Sequence, residues 1–519
     1  MINQKSIKKQ DKTFELIKSM TKSEKRFFKI YSTRHVIGDE NNYVLLFDAI
    51  EKQKYYDEIA IKEKFEGEKF VNRLPVAKAY LYDLILKSMN AYHQQNSIES
   101  QLYDYLKNIQ FLFNKNLLLQ AESLLEKCEK LAKDYDCLEI LPEVFRWKKK
   151  LLEARNYNLS FKELKELSLN EVKSIDQLEM VNKFWTLQSK LYIQHNNKGI
   201  VKQQKELKDI DGVFNERFMQ IEDRLLPFRA QMLKNKIYAT YFFQIRDFQS
   251  SYQYIKTMVD ILENNDKKTD NLEREYINAI NNLLNITHSL NKKEEFTTYL
   301  AKLRKMYRNV SDFKTDYVHC RIIESFHYHN MNFLLKEGLF DEGVAHLKIM
   351  EKDILKFNGK LDVSGKAMLY FFAFHISFSA EKYEKAEHWL NKILEIGDES
   401  SRTDINHFAN ILMPIVQFEI GDATALKKHI KKTYAYLLEV ENKSNFDKLV
   451  VQMLKQIEDC SENEMKQWFY QVKDALAKFT SDPYEERVFA YFQFKDWINC
   501  KIENKNYGLE VTKGEKMFN

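Results

Sequence analysis

Glycine and proline are scarce, 12 and 5 in 519 residues, which leaves little material for the tight hairpins and bulges of a β-fold. Long charge-free apolar runs are missing as well. The richest, MLYFFAFHISFSA from Met368, carries a histidine and falls short of the roughly 18 residues a membrane span needs, so no span is expected. The five cysteines, Cys128, Cys137, Cys320, Cys460 and Cys500, are odd in number and form no C-x-x-C pair. They read as reduced thiols of a cytoplasmic protein, neither a disulfide frame nor a zinc site. The opening MINQKSIKKQDKTFELIKSM is basic but lacks the apolar run of a secretion signal.

The short motifs of catalysis are also missing. There is no G-x-x-x-x-G-K-[ST], no G-x-G-x-x-G, no G-x-S-x-G and no H-E-x-x-H. His327 and His329 are two residues apart and point to opposite sides of a helix. Glu384 and His388 have the four-residue spacing of metal ligands, but no third ligand shares their face. No catalytic residue, metal site or cofactor is expected, and the chain reads as something other than an enzyme.

What remains is rich in Lys, Glu, Leu, Ile, Asn and aromatics, a helical composition. A chain of 519 residues exceeds the size at which one core keeps growing, so several domains or a repeat array is expected. Net charge is +5, unevenly placed. Residues 1–36 hold ten Lys/Arg and three Asp/Glu, a local +7, which leaves 5 − 7 = −2 for residues 37–519.

A repeat runs through that body. An aromatic or aliphatic anchor follows a short polar turn, with a small or apolar residue three on and apolar residues seven and ten on. It recurs at Leu118, Phe161, Ile200, Phe248, Phe296, Phe340, Tyr383 and Ala423, at intervals of 43, 39, 48, 48, 44, 43 and 40 residues. The seventh residue after the anchor is apolar in seven of eight copies and the tenth in six of eight; 44% apolar composition alone gives about half as many. The Phe161 copy fails both columns. The turns FQIRD, LNKKE, KEGL, SAEK and EIGD alternate with looser polar loops such as FNGKLDVSGK about every 20 residues, which predicts paired helices. No such hairpin buries its apolar face alone, so neighbours must stack. The aromatics, 13% of the chain, sit mostly on these columns and read as core rather than as base-stacking platforms.

The step from Tyr383 to Ala386, followed by Leu390 and Ile393, resembles the second helix of a tetratricopeptide repeat, and Leu118 to Ala121 keeps the same two positions. The family's period is about 34, so intervals of 39 to 48 mean longer helices here. The resemblance covers residues 101–460. It implies an all-α, right-handed α-solenoid of about eight degenerate hairpins, with helical caps at residues 1–95 and 461–519. MTKSEKRFFKIY, VAKAYLYDLILKSM, FEIGDATALKKHIKKTYAYL and YFQFKDWI resemble stretches of tetratricopeptide-like proteins found in Bacteroidota, which implies a bacterial cytoplasmic protein and no particular chemistry.

In that family the first helix of each hairpin lines a concave groove. Carried over from the anchors, the groove positions include Arg146, Lys149, Gln188, Lys236, His288, Tyr328 and Asn332, with Asn281, Ser325 and Met368 in the same register and an apolar end at Phe408, Ile411 and Ile415 that the C-terminal helix plugs. The function implied is a non-catalytic scaffold or adaptor that binds a protein or peptide partner there. The alternative is a nucleic-acid-binding or transcription-regulatory protein that uses its basic N-terminal region. SEKRFFKIYS, YVLLFDAIEKQ, YDEIAIKEKF and VAKAYLYDLILKSMNAYH read as helices, Pro75 opens the last, and Asn72, Arg73 and Lys78 stand near the start of a possible recognition helix. At the far end, SDPYEERVFAYFQFKDWINCKI reads as one capping helix with Ser481 or Asp482 as N-cap, Pro483 in its first turn and Val488, Tyr491, Phe492, Lys495 and Ile498 on one face.

Overall fold

The computed structural model describes residues 11–33, 42–93, 97–198, 216–265, 272–313, 315–357, 359–397, 402–440, 444–458, 462–477 and 488–511. Among them every regular element is an α-helix or a short 3-10 turn, there is no strand, and no helix is long and apolar enough to cross a membrane. The chain divides into two compact units, Met1–Lys183 with Leu226–Arg229, and Phe184–Leu225 with Ala230–Asn519.

The first unit opens with five helices, α1 (Lys12–Ser19), α2 (Lys22–Thr33), α3 (Asn42–Lys52), α4 (Glu58–Lys64) and α5 (Leu74–Tyr92), around a core that includes Ile17, Phe28, Phe47 and Leu81. The sequence pattern did not reveal α1. Asp11 caps it by accepting from the Thr13 and Phe14 amides at 3.0 Å each, so residues 11–19 of the basic arm are folded into the bundle. Pro75 does sit in the first turn of α5. The hairpin α6 (Ile98–Asn114) and α7 (Leu118–Asp134) follows, then α8 (Leu141–Ala154) and α9 (Phe161–Lys198), whose residues from Phe184 on belong to the second unit.

The helix α9 corrects the repeat. The Phe161 and Ile200 copies call for a break between the second helix of one hairpin and the first helix of the next, but α9 runs through 38 residues without one. Its sequence has no Gly or Pro to stop it, and Lys183 pairs with Glu179 one turn back. Phe161 is 92% exposed, which accounts for the polar columns of that copy. Ile200, with Leu207 and Ile210, lies outside the described residues.

In the second unit the hairpins are regular. They are α10 (Phe228–Gln244) with α11 (Phe248–Glu263), α12 (Glu273–Ser289) with α13 (Lys293–Arg308), α14 (Asp316–Lys336) with α15 (Phe340–Lys356), α16 (Val363–Ser379) with α17 (Tyr383–Ile396), and α18 (Thr403–Ile420) with α19 (Ala423–Glu439). From α13 onward each second helix packs between the first helix of its own hairpin and that of the next, and the first helices also pack directly on one another, α12 on α14, α14 on α16 and α16 on α18. This sequential stacking is the arrangement of an α-solenoid. The seventh-residue column, Ile255, Leu303, Leu347, Leu390 and Ile430, is buried throughout. The third-residue column is small where helices cross closely: a Cβ on Gly343 would meet Ile376 Cγ2 at 2.8 Å, and Ser251 donates to the Ala239 carbonyl at 2.8 Å.

Each turn is made by one left-handed residue two positions before the second helix: Arg246, Asn291, Gly338, Glu381 and Gly421, all at φ between 54° and 82°. After α14, for example, the Leu339 amide donates to the Leu334 carbonyl and the Gly338 amide to that of Leu335, which satisfies two of the carbonyls a helix end leaves open.

The helices α20 (Asn445–Glu458) and α21 (Glu462–Ala477) extend the stack. The expected single capping helix is instead broken into α22 (Val488–Tyr491) and α23 (Phe494–Glu503), followed by α24 (Tyr507–Val511). The break turns Phe492 inward against Phe374, Phe378 and Tyr507, so burial of one ring overrides helical continuity. Ser481, Asp482 and Pro483 lie outside the described residues. Tyr491 stacks on Phe408 at 4.1 Å and donates to Asp404 at 2.6 Å, while Trp497 and Lys501 both bond Glu419 at 2.6 Å. The apolar end of the expected groove is thus covered by the chain's own C-terminal segment.

At Gly421 (φ 82°) a Cβ would meet nothing within 4 Å, so only the backbone resists substitution. Gly421→Asn is expected to leave the urea midpoint nearly unchanged, and Gly421→Val to lower apparent stability by about 1–2 kcal/mol.

Candidate functional site

The first helices of the second unit are enclosed by neighbours on most sides, so the few positions where their polar side chains reach an opening stand out. One pocket of about 330 Å³ is let into α12, α14 and α16 and is lined by Asn281, Asn285, Arg321, Glu324, Ser325, Tyr328, Ser364, Gly365, Met368, Leu369 and Arg402. The register explains the convergence. Asn281, Ser325 and Met368 occupy the same position on three consecutive first helices, and Asn285, Arg321 and Ser364 lie one turn away on the same faces.

The pocket's charges are held internally. Arg321 donates to Glu324 Oε2 at 3.1 Å and to Asn278 Oδ1 at 3.2 Å. The other oxygen of Glu324 accepts from the Asp362 amide at 3.0 Å, just before α16; burial still raises its carboxyl above the usual range. Arg402 forks onto both oxygens of Asp404 at 2.9 and 2.7 Å. Tyr328 brings a half-buried hydroxyl, its ring edge-on to Phe372, and burial pushes its pKa up.

Beside the pocket, Arg321 also acts on the Tyr192 hydroxyl, and the Lys236 ammonium lies 5.4 Å from the Tyr192 ring centre. Burial pushes the Lys236 ammonium below the ordinary lysine value, with Arg274 adding to the push and Glu275 opposing it. Lys236 forms no ion pair among the described residues.

The seven groove positions expected from sequence therefore meet different fates. Tyr328 lines the pocket, and Lys236 lies over Tyr192, whose hydroxyl is acted on by Arg321 of the pocket wall. Gln188, His288 and Asn332 are buried, at 5%, 7% and 4% exposure, because a first helix packed between two hairpins has little free face. Arg146 and Lys149 belong to the first unit, where Arg146 bonds Glu143 at 2.6 Å and Lys149 bonds Glu171 at 2.7 Å. Of the pocket's other members, Arg321, Asn285, Ser364 and Arg402 were not among the expected positions. Asn285, Arg321 and Ser364 each stand one helical turn from a register position, a signal that could have found them; Arg402, six residues before Phe408, carried none.

Two further polar groups have a structural account. His327, fully buried, lies 2.9 Å from His346 and 3.0 Å from Asp353, which also accepts from Tyr307 at 2.5 Å. The chain of groups has the look of a proton relay, but its His346 end is buried and its Tyr307 end stacks on Phe326 at 4.2 Å, so it reads as packing. His388 is exposed on the outer face of α17, and among the described residues no cluster of three or more His, Cys, Asp or Glu is arranged to hold a metal ion. Cys128, Cys137, Cys320 and Cys500 are buried free thiols, pushed by burial to about 11. Cys460 lies outside the described residues. Comparison of the chain with protein-family models and with curated proteins finds no match in either.

Burial lowers His288 to about 4 and His329, His346 and His375 to about 3, from 6.5. A base held neutral in the folded state binds fewer protons there than in the unfolded chain, so its contribution is full above pH 6.5 and lost as the pH falls toward 4, at up to about 1.4 kcal/mol per pH unit for each group. The depressed carboxylates Asp353, Asp404 and Asp447 act at lower pH. Melting temperature is expected to fall between pH 7 and pH 5, and His288→Leu to reduce that fall.

Proposed function

We propose that the protein is a non-catalytic scaffold whose partner, a protein or peptide segment, lies across the inner helices of the second unit, along Lys236, Tyr192 and Tyr328, in the manner the tetratricopeptide-like repeat implies. The observation that carries this reading is Lys236. A half-buried ammonium that Glu275 acts on only at a distance, with no ion pair among the described residues, held over the Tyr192 ring, is a costly arrangement that an acceptor from outside relieves. Successive first helices presenting mixed polar and aromatic groups are a surface suited to an extended or helical peptide.

The same accounting weighs against the nucleic-acid alternative. Lys78, at the head of the expected recognition helix, bonds Asp11 at 2.7 Å, Tyr56 at 2.6 Å and Glu58 at 3.1 Å, and these partners raise its pKa against its own burial. Lys25 and Lys29 pair with Glu51, and Lys29 also with Asp48. These cations of the basic region are already engaged within the bundle, which supports the partner reading. Cytoplasmic location is part of the same proposal.

Affinity capture from the native cell with the wild-type chain and with a Lys236→Glu/Tyr328→Ala variant tests the assignment. The variant is expected to fold and to lose one or more specific partners by roughly tenfold or more, as removal of contacts near the centre of an interface does. An unchanged set of captured proteins overturns it.

A further inference from the structure

The hydrogen-bonding inventory of the 330 Å³ pocket is lopsided. Its carboxylate acceptors are spent inside the protein. Both Glu324 oxygens are taken, by the Asp362 amide and by Arg321, and Asp404 is taken by Arg402 and Tyr491. Asn281 Oδ1 faces the buried His329 ring at 3.0 Å and accepts from its Nε2. That bond fixes the orientation of the amide and leaves the Asn281 nitrogen, a donor, for the pocket. Arg321 Nε is buried without a partner, and so is the hydroxyl of Ser325, a residue only 3% exposed. Tyr328 adds a second hydroxyl.

Ser364 and Gly365 lie in the first turn of the 17-residue helix α16, whose end borders the pocket and is capped by Asp362, which accepts from the Gly365 amide at 2.8 Å. Arg321 is matched by Glu324 and Arg402 by Asp404, so it is the surplus of donors and not a net charge that marks the opening. Buried polar atoms without partners are rare in folded proteins, and two of them in the wall of one opening call for a ligand that supplies acceptors.

We infer that this pocket binds a small organic oxyanion, a phosphate ester or polycarboxylate, through Arg321, Ser325, Asn281 and Tyr328. Its volume is near the lower end of the roughly 300–1,000 Å³ typical of small-molecule sites, and Met368 and Leu369 offer an apolar wall to the ligand's carbon part. The inference needs no peptide in the groove and stands whether or not the partner reading holds. Because Tyr328 belongs to both surfaces, such a ligand would also occupy part of the partner's path.

The test uses the full chain, with isothermal titration against inorganic phosphate, citrate, 5′-AMP and a hexaglutamate peptide at constant ionic strength. Asn281→Asp keeps the acceptor for His329 and replaces the pocket's donor with a negative charge. Ser325→Ala removes a hydroxyl that nothing in the protein uses. At least one of the three small anions is expected to bind saturably; phosphate alone would place the recognition in the phosphoryl group, citrate in carboxylates, and 5′-AMP in the ester. Asn281→Asp should weaken that binding by about tenfold or more and Ser325→Ala by roughly threefold to tenfold, with the melting temperature of Ser325→Ala no lower than wild type. If Asn281→Asp does not fold, Ser325→Ala decides. The inference is overturned if none of the small anions binds, if both folded variants bind as the wild type does, or if only hexaglutamate binds, which would assign the pocket to an acidic partner.

Discussion

Shared burial is the constraint on which this structure depends. No hairpin of the second unit covers its own apolar face; α14 is enclosed by α13, α15, α12 and α16, and α16 in turn by α15, α17, α14 and α18. The burial follows directly. Nearly every residue of α16 from Phe371 to Ser379 is inaccessible, polar ones included. Stability is then distributed between neighbours, and the ends of the stack need covers of their own, which Phe492, Trp497 and Tyr507 supply at one end.

The same enclosure sets the chemistry. A polar side chain on a first helix is either neutral and sequestered, as His288 and His375 are, or tied to a partner, as Glu324 and Asp353 are, or placed at an opening. The last group is small and clusters around Lys236, Arg321, Ser325 and Tyr328. The protein's outer helices, by contrast, carry the ordinary solvated charges of Glu384, Lys385 and His388, whose spacing in sequence looks chemical and whose setting is plain surface.

Much of the helical pairing was legible because it rests on local rules. The anchors Phe248, Phe340, Tyr383 and Ala423 are each the first residue of a second helix, and the buried seventh-residue column follows from helical period. What was not legible depends on tertiary context. Glu381 and Arg246 adopt φ of 56° and 64°, a conformation that nothing in either residue type announces. The fusion of two expected helices into α9 and the break before Phe494 were each decided by which side chains found a core. Asn332 and His288 were assigned to a groove by carrying the tetratricopeptide register over from the anchors, and a register of that kind fails where the first helix is enclosed on most sides. The pocket was half visible: the register of Asn281, Ser325 and Met368 was in the sequence, but the hydrogen bonds that consume its acceptors were not.

The proposed partner lies on the first helices of the hairpins of the second unit, away from the second helices and the N-terminal bundle. Hydrogen–deuterium exchange of the full chain with and without a captured partner separates these surfaces. Added protection is expected in the segments 233–240, 321–328 and 363–369. Protection confined to the second helices α13, α15 and α17, or to residues 11–33, would overturn the proposal.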